Sequence, residues 1–370
     1  MGARVNKIED GAIRLPVKVE DVTARWLTEA LAVNYPGIEV TSARVENVLW
    51  GTGTKVPVRV EYNKVGRDAG LPTSLIVKGG FSEHRHVMER CYYLEVRFYR
   101  DLLPRLGINA PRAFFAADDS ANHQHIVIME DMNVRNVKFC RVQQPLNFAQ
   151  AAEHLDVLAR MHAQWWESPA LEEGGELSDL DVWDPLPPGE KGTYQWGQLK
   201  PEVWSHFMSL PRGVAVPKMM HDRDQMERAL LNLQAFDRVK PFCFLHGDYH
   251  LGNLYFDADG RVGTLDWQSF CKGPWSHDVT YFMVSALDIA DRRKWDKALL
   301  GYYLERLAAH GVRNPPSFDT AWDAFRRQVI DGLYFWLVNP VELQVEVNNC
   351  AVAPRFAMAA LDCDTFELMG

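Results

Sequence analysis

The sequence predicts an α+β chain of two lobes: a small antiparallel sheet lobe carrying one long helix, then a mainly helical lobe. Three observations lead there. Short apolar–polar alternations separated by turn residues occupy positions up to about 132 and flank a single long helical pattern. Helical periodicity dominates from Phe148 onward. The 370 residues are also more than one hydrophobic core ordinarily serves.

The elements follow in order. Asp21 to Val33 reads as an opening helix, stopped by Pro36-Gly37. Val40 to Leu49 and Val56 to Tyr62 alternate as strands around Gly51-Thr52-Gly53-Thr54, and Ser74 to Lys78 forms a third. A long helix is expected from Glu83 to Leu103. Arg112 to Ala117 and His125 to Met129 then pair across Asp118-Asp119-Ser120. In the second lobe, Phe148 to Trp166 is helical, and further helices are expected from Met220 to Phe236, Asp291 to His310, Asp319 to Val338 and in the tail. Residues 168–220 show no clear period; Pro185 to Gly189 reads as a loop.

Composition narrows the class. With 47% apolar and 24% charged residues the chain is that of a soluble globular protein. A net charge of −9 argues against a nucleic-acid binder. The start, Met1 to Asn6, lacks an apolar signal core, and Asn6 breaks the myristoylation pattern. No run approaches the ~18 apolar residues of a membrane span. Cys91, Cys140, Cys243, Cys271, Cys350 and Cys363 are scattered, without a Cys-x-x-Cys pair. Reduced thiols in a cytoplasm are the expectation, and a zinc site is not.

The chemistry is concentrated at His246-Gly247-Asp248-Tyr249-His250-Leu251-Gly252-Asn253 and, after a short hairpin, Leu265-Asp266-Trp267. Pro241 to Leu245 is an apolar strand candidate. Leu254 to Phe256 and Val262 to Leu265 form the hairpin across Asp257 to Gly260. That turn places Asn253 and Asp266 side by side. Two carboxylates and a carboxamide so spaced suit phosphoryl transfer from a metal–nucleotide complex. Asp248 can orient a hydroxyl and take its proton, while Asn253 and Asp266 offer oxygens to Mg²⁺, a hard cation that keeps several waters. Asp257, Asp259 and Gly260 read as a surface turn, because the closing Glu of a calcium loop is missing.

This string resembles the catalytic loop of the aminoglycoside phosphotransferase and choline kinase-like superfamily, small-molecule kinases with a protein-kinase-like two-lobed fold. Asp266-Trp267-Gln268 is similar to the ecdysteroid kinase-like branch, where Asp-Phe-Gln is usual. The resemblance is strong over residues 240–285 and looser elsewhere. It implies Asp248 as catalytic base and Asn253 and Asp266 as metal ligands. It also implies a nucleotide-binding lobe over 1–132 and a helical lobe over 133–370 that holds the catalytic loop and the acceptor pocket.

In such a nucleotide lobe, Lys78 at the end of Leu75-Ile76-Val77 neutralises phosphates; the competing reading is a surface lysine. Its carboxylate partner lies among Glu83, Glu89 and Glu95. The apolar stripe Val87, Cys91, Leu94, Phe98, Leu102 leaves Glu89 opposite and Glu95 at the edge. Glu95-Val96-Arg97-Phe98-Tyr99 also matches the family's Glu-x-x-Phe-Tyr, so Glu95 is assigned, against an exposed pairing with Arg97 or Arg100. Gly51 and Gly53 permit close approach to phosphate oxygens, or form a plain hairpin turn. The linker Ile128 to Met132 implies backbone contacts to the base at Glu130 and Met132. By the same resemblance His162, His246 and Asp278 are structural, and Ser276 or Asp278 is positioned to cap a helix. The absence of an Ala-Pro-Glu segment counts against a protein kinase.

The function expected is an ATP-dependent, Mg²⁺-assisted phosphotransferase acting on a hydroxyl of a small organic molecule, with GTP also open as donor. Tyr194, Trp196, Trp204, Trp275, Tyr334 and Trp336 are candidates for an aromatic acceptor pocket. No nucleic-acid, membrane-spanning or protein partner is implied. The alternatives are a non-catalytic nucleotide-binding scaffold of the same fold and, with less support, a hydrolase using Asp248 with His246 or His250.

Overall fold

The computed structural model describes residues 5–83, 85–187, 194–239 and 241–370. Residues 1–4, on which part of the N-terminal reading rests, and Pro188 and Gly189 of the expected loop lie outside them.

Along the chain, α1 (Ala24–Ala32) is capped by Thr23, whose hydroxyl accepts the Trp26 N–H. It starts later than expected because Val19–Asp21 closes a separate 3₁₀ turn. Strand β1 (Val40–Val45) is shorter than the expected run to Leu49; Leu49 rejoins the sheet only through a bridge to Lys55. Strand β2 (Thr54–Tyr62) keeps the period-two burial read from the sequence. A short helix, α2 (Lys64–Asp68), capped by Asn63, was not anticipated. Strand β3 (Ser74–Gly79) is buried at every position.

The expected single helix from Glu83 to Leu103 is three pieces. Turns hold residues 85–88, so Glu83 is not helical and Val87 is exposed rather than part of the apolar stripe. Then come α3 (Glu89–Arg97), a π-helical turn (Phe98–Leu102) and α4 (Leu103–Leu106), ended by Gly107 at φ +59°. Pro104 accounts for the π turn: with no N–H it cannot bond the Arg100 carbonyl one turn earlier. Strands β4 (Ala113–Asp119) and β5 (Gln124–Glu130) pair across a 3₁₀ turn at Ser120–Asn122.

After β6 (Lys138–Phe139) comes α5 (Phe148–Gln164), begun by a capping box of Asn147 and Gln150. Short helices α6 (Tyr194–Gln198), α7 (Pro201–Ser209) and α8 (Pro211–Val214) occupy the unperiodic region. Helix α9 (Arg223–Asp237) is capped by Asp222. Strands β7 (Phe242–Leu245), β8 (Leu254–Phe256), β9 (Val262–Thr264) and β10 (Cys271–Pro274) follow, then α10 (Ser276–Ala286), α11 (Ile289–Ala309), α12 (Phe318–Val338), α13 (Glu346–Asp362) and α14 (Thr365–Met369). Neither Ser276 nor Asp278 caps α10, whose first turn carries no side-chain cap.

By contact density the chain forms two units: Met1–Lys138 with Tyr255–Ser269, and Phe139–Leu254 with Phe270–Gly370. The first is built on an antiparallel sheet of order β1-β2-β3-β5-β4. Leu27 and Leu31 of α1 pack with Val56, Val58, Leu75, Val77, Phe114 and Ile126 in its core. Residues 255–269 join this unit through Asn109: its carbonyl accepts the Thr264 N–H at 2.9 Å, and its Oδ1 accepts from the Tyr255 hydroxyl at 3.1 Å. The second unit is mainly helical. Its β7 and β10 pair antiparallel, and every residue of α10 is buried. None of the described helices is long and apolar enough to cross a membrane.

Candidate active site

In the first unit, strand register brings the charges together. Lys78 of β3 sits directly opposite Lys55 of β2, so both side chains leave the same face of the sheet. The Lys78 ammonium is 3% exposed; it donates to Glu95 Oε1 at 2.7 Å and to Asp266 Oδ1 at 2.8 Å. Burial alone would push the Lys78 pKa down, but the Asp266 and Glu95 charges outweigh it and hold the pKa above its ordinary value. Arg100, one alternative partner for Glu95, bonds Asp101 and Asp118 instead. Glu89 accepts from His123 and His125.

Asp266 is held in an unusual backbone state, φ +59°, which aspartate tolerates better than most residues. The neighbouring Trp267 fixes it there. That indole stacks on Phe98 of the π turn at 3.9 Å and 5°, and its Nε1 donates to the Thr264 hydroxyl at 3.2 Å. Gly53 lies against this cluster: a Cβ there would meet Lys78 Cε at 2.7 Å and Gln268 Oε1 at 3.3 Å. Gly51 does not; nothing lies within 4 Å of its Cβ position. Of the linker residues, the Glu130 N–H is already given to the Arg112 carbonyl, and Met132 is buried with its carbonyl accepting from Arg135.

In the second unit the loop after β7 presents Asp248 and Asn253. The Asn253 amide nitrogen donates to the Asp248 carbonyl at 2.9 Å and to its Oδ2 at 3.0 Å, which leaves Asn253 Oδ1 as the oxygen the side chain can offer a cation. His246 braces the loop by accepting the Asp248 N–H at Nδ1. His250 Nδ1 accepts the Gly252 N–H, so its proton sits on Nε2, 3.6 Å from Asp248 Oδ1. Asp278 Oδ2 accepts the His246 N–H at 2.7 Å, and its Oδ1 accepts the Gly247 N–H at 3.0 Å. His162 lies behind it, bonded to the Tyr303 hydroxyl at 2.8 Å. Burial would raise the Asp278 pKa, yet the hydrogen bond from His162 and the nearby histidine charges hold it below the usual carboxylate range.

Sequence reasoning missed Lys55, whose Nζ lies 3.7 Å from Asp266 Oδ2. The register of β2 against β3 was the available signal. Four aromatic candidates are core: Trp204, Trp275, Tyr334 and Trp336 are buried, with Trp275 stacked on Tyr303 and Trp204 Nε1 bonded to the His221 carbonyl. Tyr194 is exposed and Trp196 is half-buried.

Residues 67–316 match the model of a family described as the phosphotransferase enzyme family. No curated protein matches the sequence. Among solved structures, a candidate aminoglycoside phosphotransferase from Ralstonia eutropha JMP134 is 14% identical, covering 92% of this chain and 96% of that one at a TM-score of 0.51. A spectinomycin phosphotransferase, solved in complex with ADP and spectinomycin, is also 14% identical, covering 93% of this chain and 99% of that one at a TM-score of 0.50. At these identities the likeness is one of fold. The fold is protein-kinase-like, with an antiparallel N-terminal sheet and a helical C-terminal part.

Proposed function

The chain belongs to the phosphotransferase enzyme family, and from that premise we propose that it transfers the γ-phosphate of ATP to a hydroxyl of a small organic molecule. The observation that carries this reading is the buried Lys78 ammonium bonded to both Glu95 and Asp266. It presets a cation for phosphate oxygens and a carboxylate for a metal. The donor types suit Mg²⁺, a hard cation that takes few protein oxygens: Asp266 would offer a carboxylate and Asn253 a carboxamide oxygen. Gly53, where a Cβ would collide with Lys78, fits a backbone that must come close to that cation.

In this reading Mg²⁺–ATP, when bound, supplies the phosphoryl group and part of the neutralising charge. Lys78, kept in place by Glu95, pairs with phosphate oxygens, with Lys55 as a second cation beside Asp266. Asp248 accepts a hydrogen bond from the acceptor hydroxyl, aims its oxygen and takes its proton as the new P–O bond forms. Asn253 holds the Asp248 carboxylate in orientation through its amide nitrogen. Most of the acceleration comes from positioning and charge neutralisation. The lobes assigned to nucleotide and acceptor are 1–132 and 133–370, with 255–269 added to the first because it packs there. GTP is the alternative donor. The trio Asp266-Trp267-Gln268 supports a place near the ecdysteroid kinase-like branch and an apolar hydroxyl acceptor. The six cysteines, none of them in a disulfide, support a cytoplasmic setting.

The test is transfer of labelled γ-phosphate from ATP to a panel of amino alcohols, sterol-like alcohols and aminoglycosides. Asp248→Asn should abolish transfer and leave nucleotide affinity within about twofold. Equal loss of binding and turnover would remove Asp248 from the role of base.

A further inference from the structure

Consecutive residues of α10 hold the two peptide groups that flank the Gly247 Cα. Asp278 accepts the Gly247 N–H at 3.0 Å, and His277 Nε2 lies 3.3 Å from the Gly247 carbonyl oxygen. Gly247 is in the left-handed region at φ +79° and leads directly into Asp248. The peptide that carries its carbonyl therefore sets where Asp248 begins. The other ring nitrogen, His277 Nδ1, lies 2.9 Å from Asp331 Oδ2 of α12.

A carbonyl oxygen and a carboxylate oxygen are both acceptors. A neutral imidazole has one N–H and satisfies one of them; only the imidazolium satisfies both. The surroundings favour that cation. His277 and Asp331 are both buried, and Asp331 Oδ1 has no hydrogen-bond partner, so the carboxylate depends on the ring for its counter-charge. Trp183 stacks on the ring at 3.8 Å and Tyr281 at 5.7 Å. The charged or titratable groups facing it are Asp331 from α12, Asp278 and Tyr281 from its own helix, and Asp237 from α9. Burial by itself lowers the His277 pKa, but its bond to Asp331 and the carboxylate charges reverse this and leave it above the ordinary 6.5.

We infer that His277 is a buried imidazolium and a positioning residue: backed by Asp331, it fixes the Gly247 carbonyl, and loss of its proton releases the peptide that aims Asp248. The sign follows from a raised folded-state pKa. The clamp is complete below the ordinary histidine range and is lost as pH rises through the folded-state value. Turnover should therefore fall on the alkaline side. Only this last effect rests on Asp248 being the base; the state of the ring and the hold on Gly247 do not.

The experiment uses the full chain. Two-bond ¹H–¹⁵N spectra of histidine-labelled protein report ring protonation, with His277 assigned by its disappearance in His277→Gln. The ring should be more than half doubly protonated at pH 6.5, the ordinary histidine value, and Asp331→Asn should lower the midpoint by about one pH unit or more. Amide exchange over 246–250, corrected for its intrinsic pH dependence, should rise about tenfold across the wild-type midpoint and move with it in Asp331→Asn. His277→Gln should already exchange fast at pH 6. If His277→Gln does not fold, the Asp331→Asn shift decides. Hydrolysis of Mg²⁺–ATP with water as acceptor should fall about tenfold in kcat with KM nearly unchanged. A ring already mostly neutral at pH 6.5, or Gly247 protection that ignores the titration, overturns the inference. Absence in wild type of both ATP hydrolysis and transfer to the hydroxyl panel, alongside a protonated, loop-holding ring, overturns the phosphotransferase reading instead.

Discussion

Replacing Lys78 by methionine tests the charge cluster through stability alone. Lys78 and Glu95 are each 3% exposed, whereas the Asp266 side chain is 20% exposed and keeps Lys55 at 3.7 Å. The substitution therefore strands chiefly Glu95, a buried carboxylate without its counter-ion. Breaking such a pair from one side costs about 3–5 kcal/mol. Removing both members costs far less, because no charge is left buried, and Lys78→Met/Glu95→Met should lie within about 2 kcal/mol of wild type. Glu95→Gln, which can still accept from Lys78, should cost about 1–2 kcal/mol. Urea unfolding followed by tryptophan fluorescence and circular dichroism reads all four chains. The reasoning fails if Lys78→Met unfolds within about 1 kcal/mol of wild type, or if the double variant is no more stable than the single one.

Further predictions follow from individual contacts. Burial of His154 holds its pKa down at about 3, so it enters the folded state neutral. Its stabilisation is complete above the unfolded value near 6.5 and is lost as pH falls, which makes pH 5 about 2 kcal/mol less stable than pH 7. Denaturant midpoints should show that slope in wild type and lose most of it in His154→Gln. Gly332→Ala puts a Cβ 2.0 Å from Phe356 Cε1 and should cost about 1–3 kcal/mol in thermal or urea unfolding. Gly53→Val presses on Lys78 Cε; it should lower the unfolding midpoint by less than Lys78→Met does and weaken nucleotide binding about tenfold by calorimetry. Lys55→Ala should weaken ATP binding more at low salt than at high salt, because its side chain is 43% exposed and screened.

The sheet was legible because period-two alternation survives in β2, while β4 and β5 read as short apolar runs and are buried at nearly every position. The long helix was legible only as a pattern. Its break at Phe98–Leu102 comes from the missing N–H of Pro104, a local donor deficit that apolar periodicity does not register. Residues 168–220 resisted reading because their helices are short and entered through prolines, at Pro201 and Pro211, rather than through side-chain caps. At the site, Glu95 was separable from Glu89 by its angle on the helix, and the Lys78 contact at 2.7 Å agrees. Lys55 was invisible until register placed it opposite Lys78, since cross-strand neighbours are distant in sequence. His277 was equally hidden: its partner Asp331 is 54 residues away, and neither residue stands out from its surroundings in the chain.

The central claim is a metal–nucleotide site built on Asp266 and Lys78. Titration of the full chain with ATP and GTP, with and without Mg²⁺, followed by thermal unfolding and calorimetry, tests it most directly, because a ligand of the folded state raises stability by mass action. The account predicts Mg²⁺-dependent stabilisation and binding by one of the nucleotides, both lost in Asp266→Ala. Absence of binding by either nucleotide, or binding indifferent to Mg²⁺ and to Asp266→Ala, would contradict it.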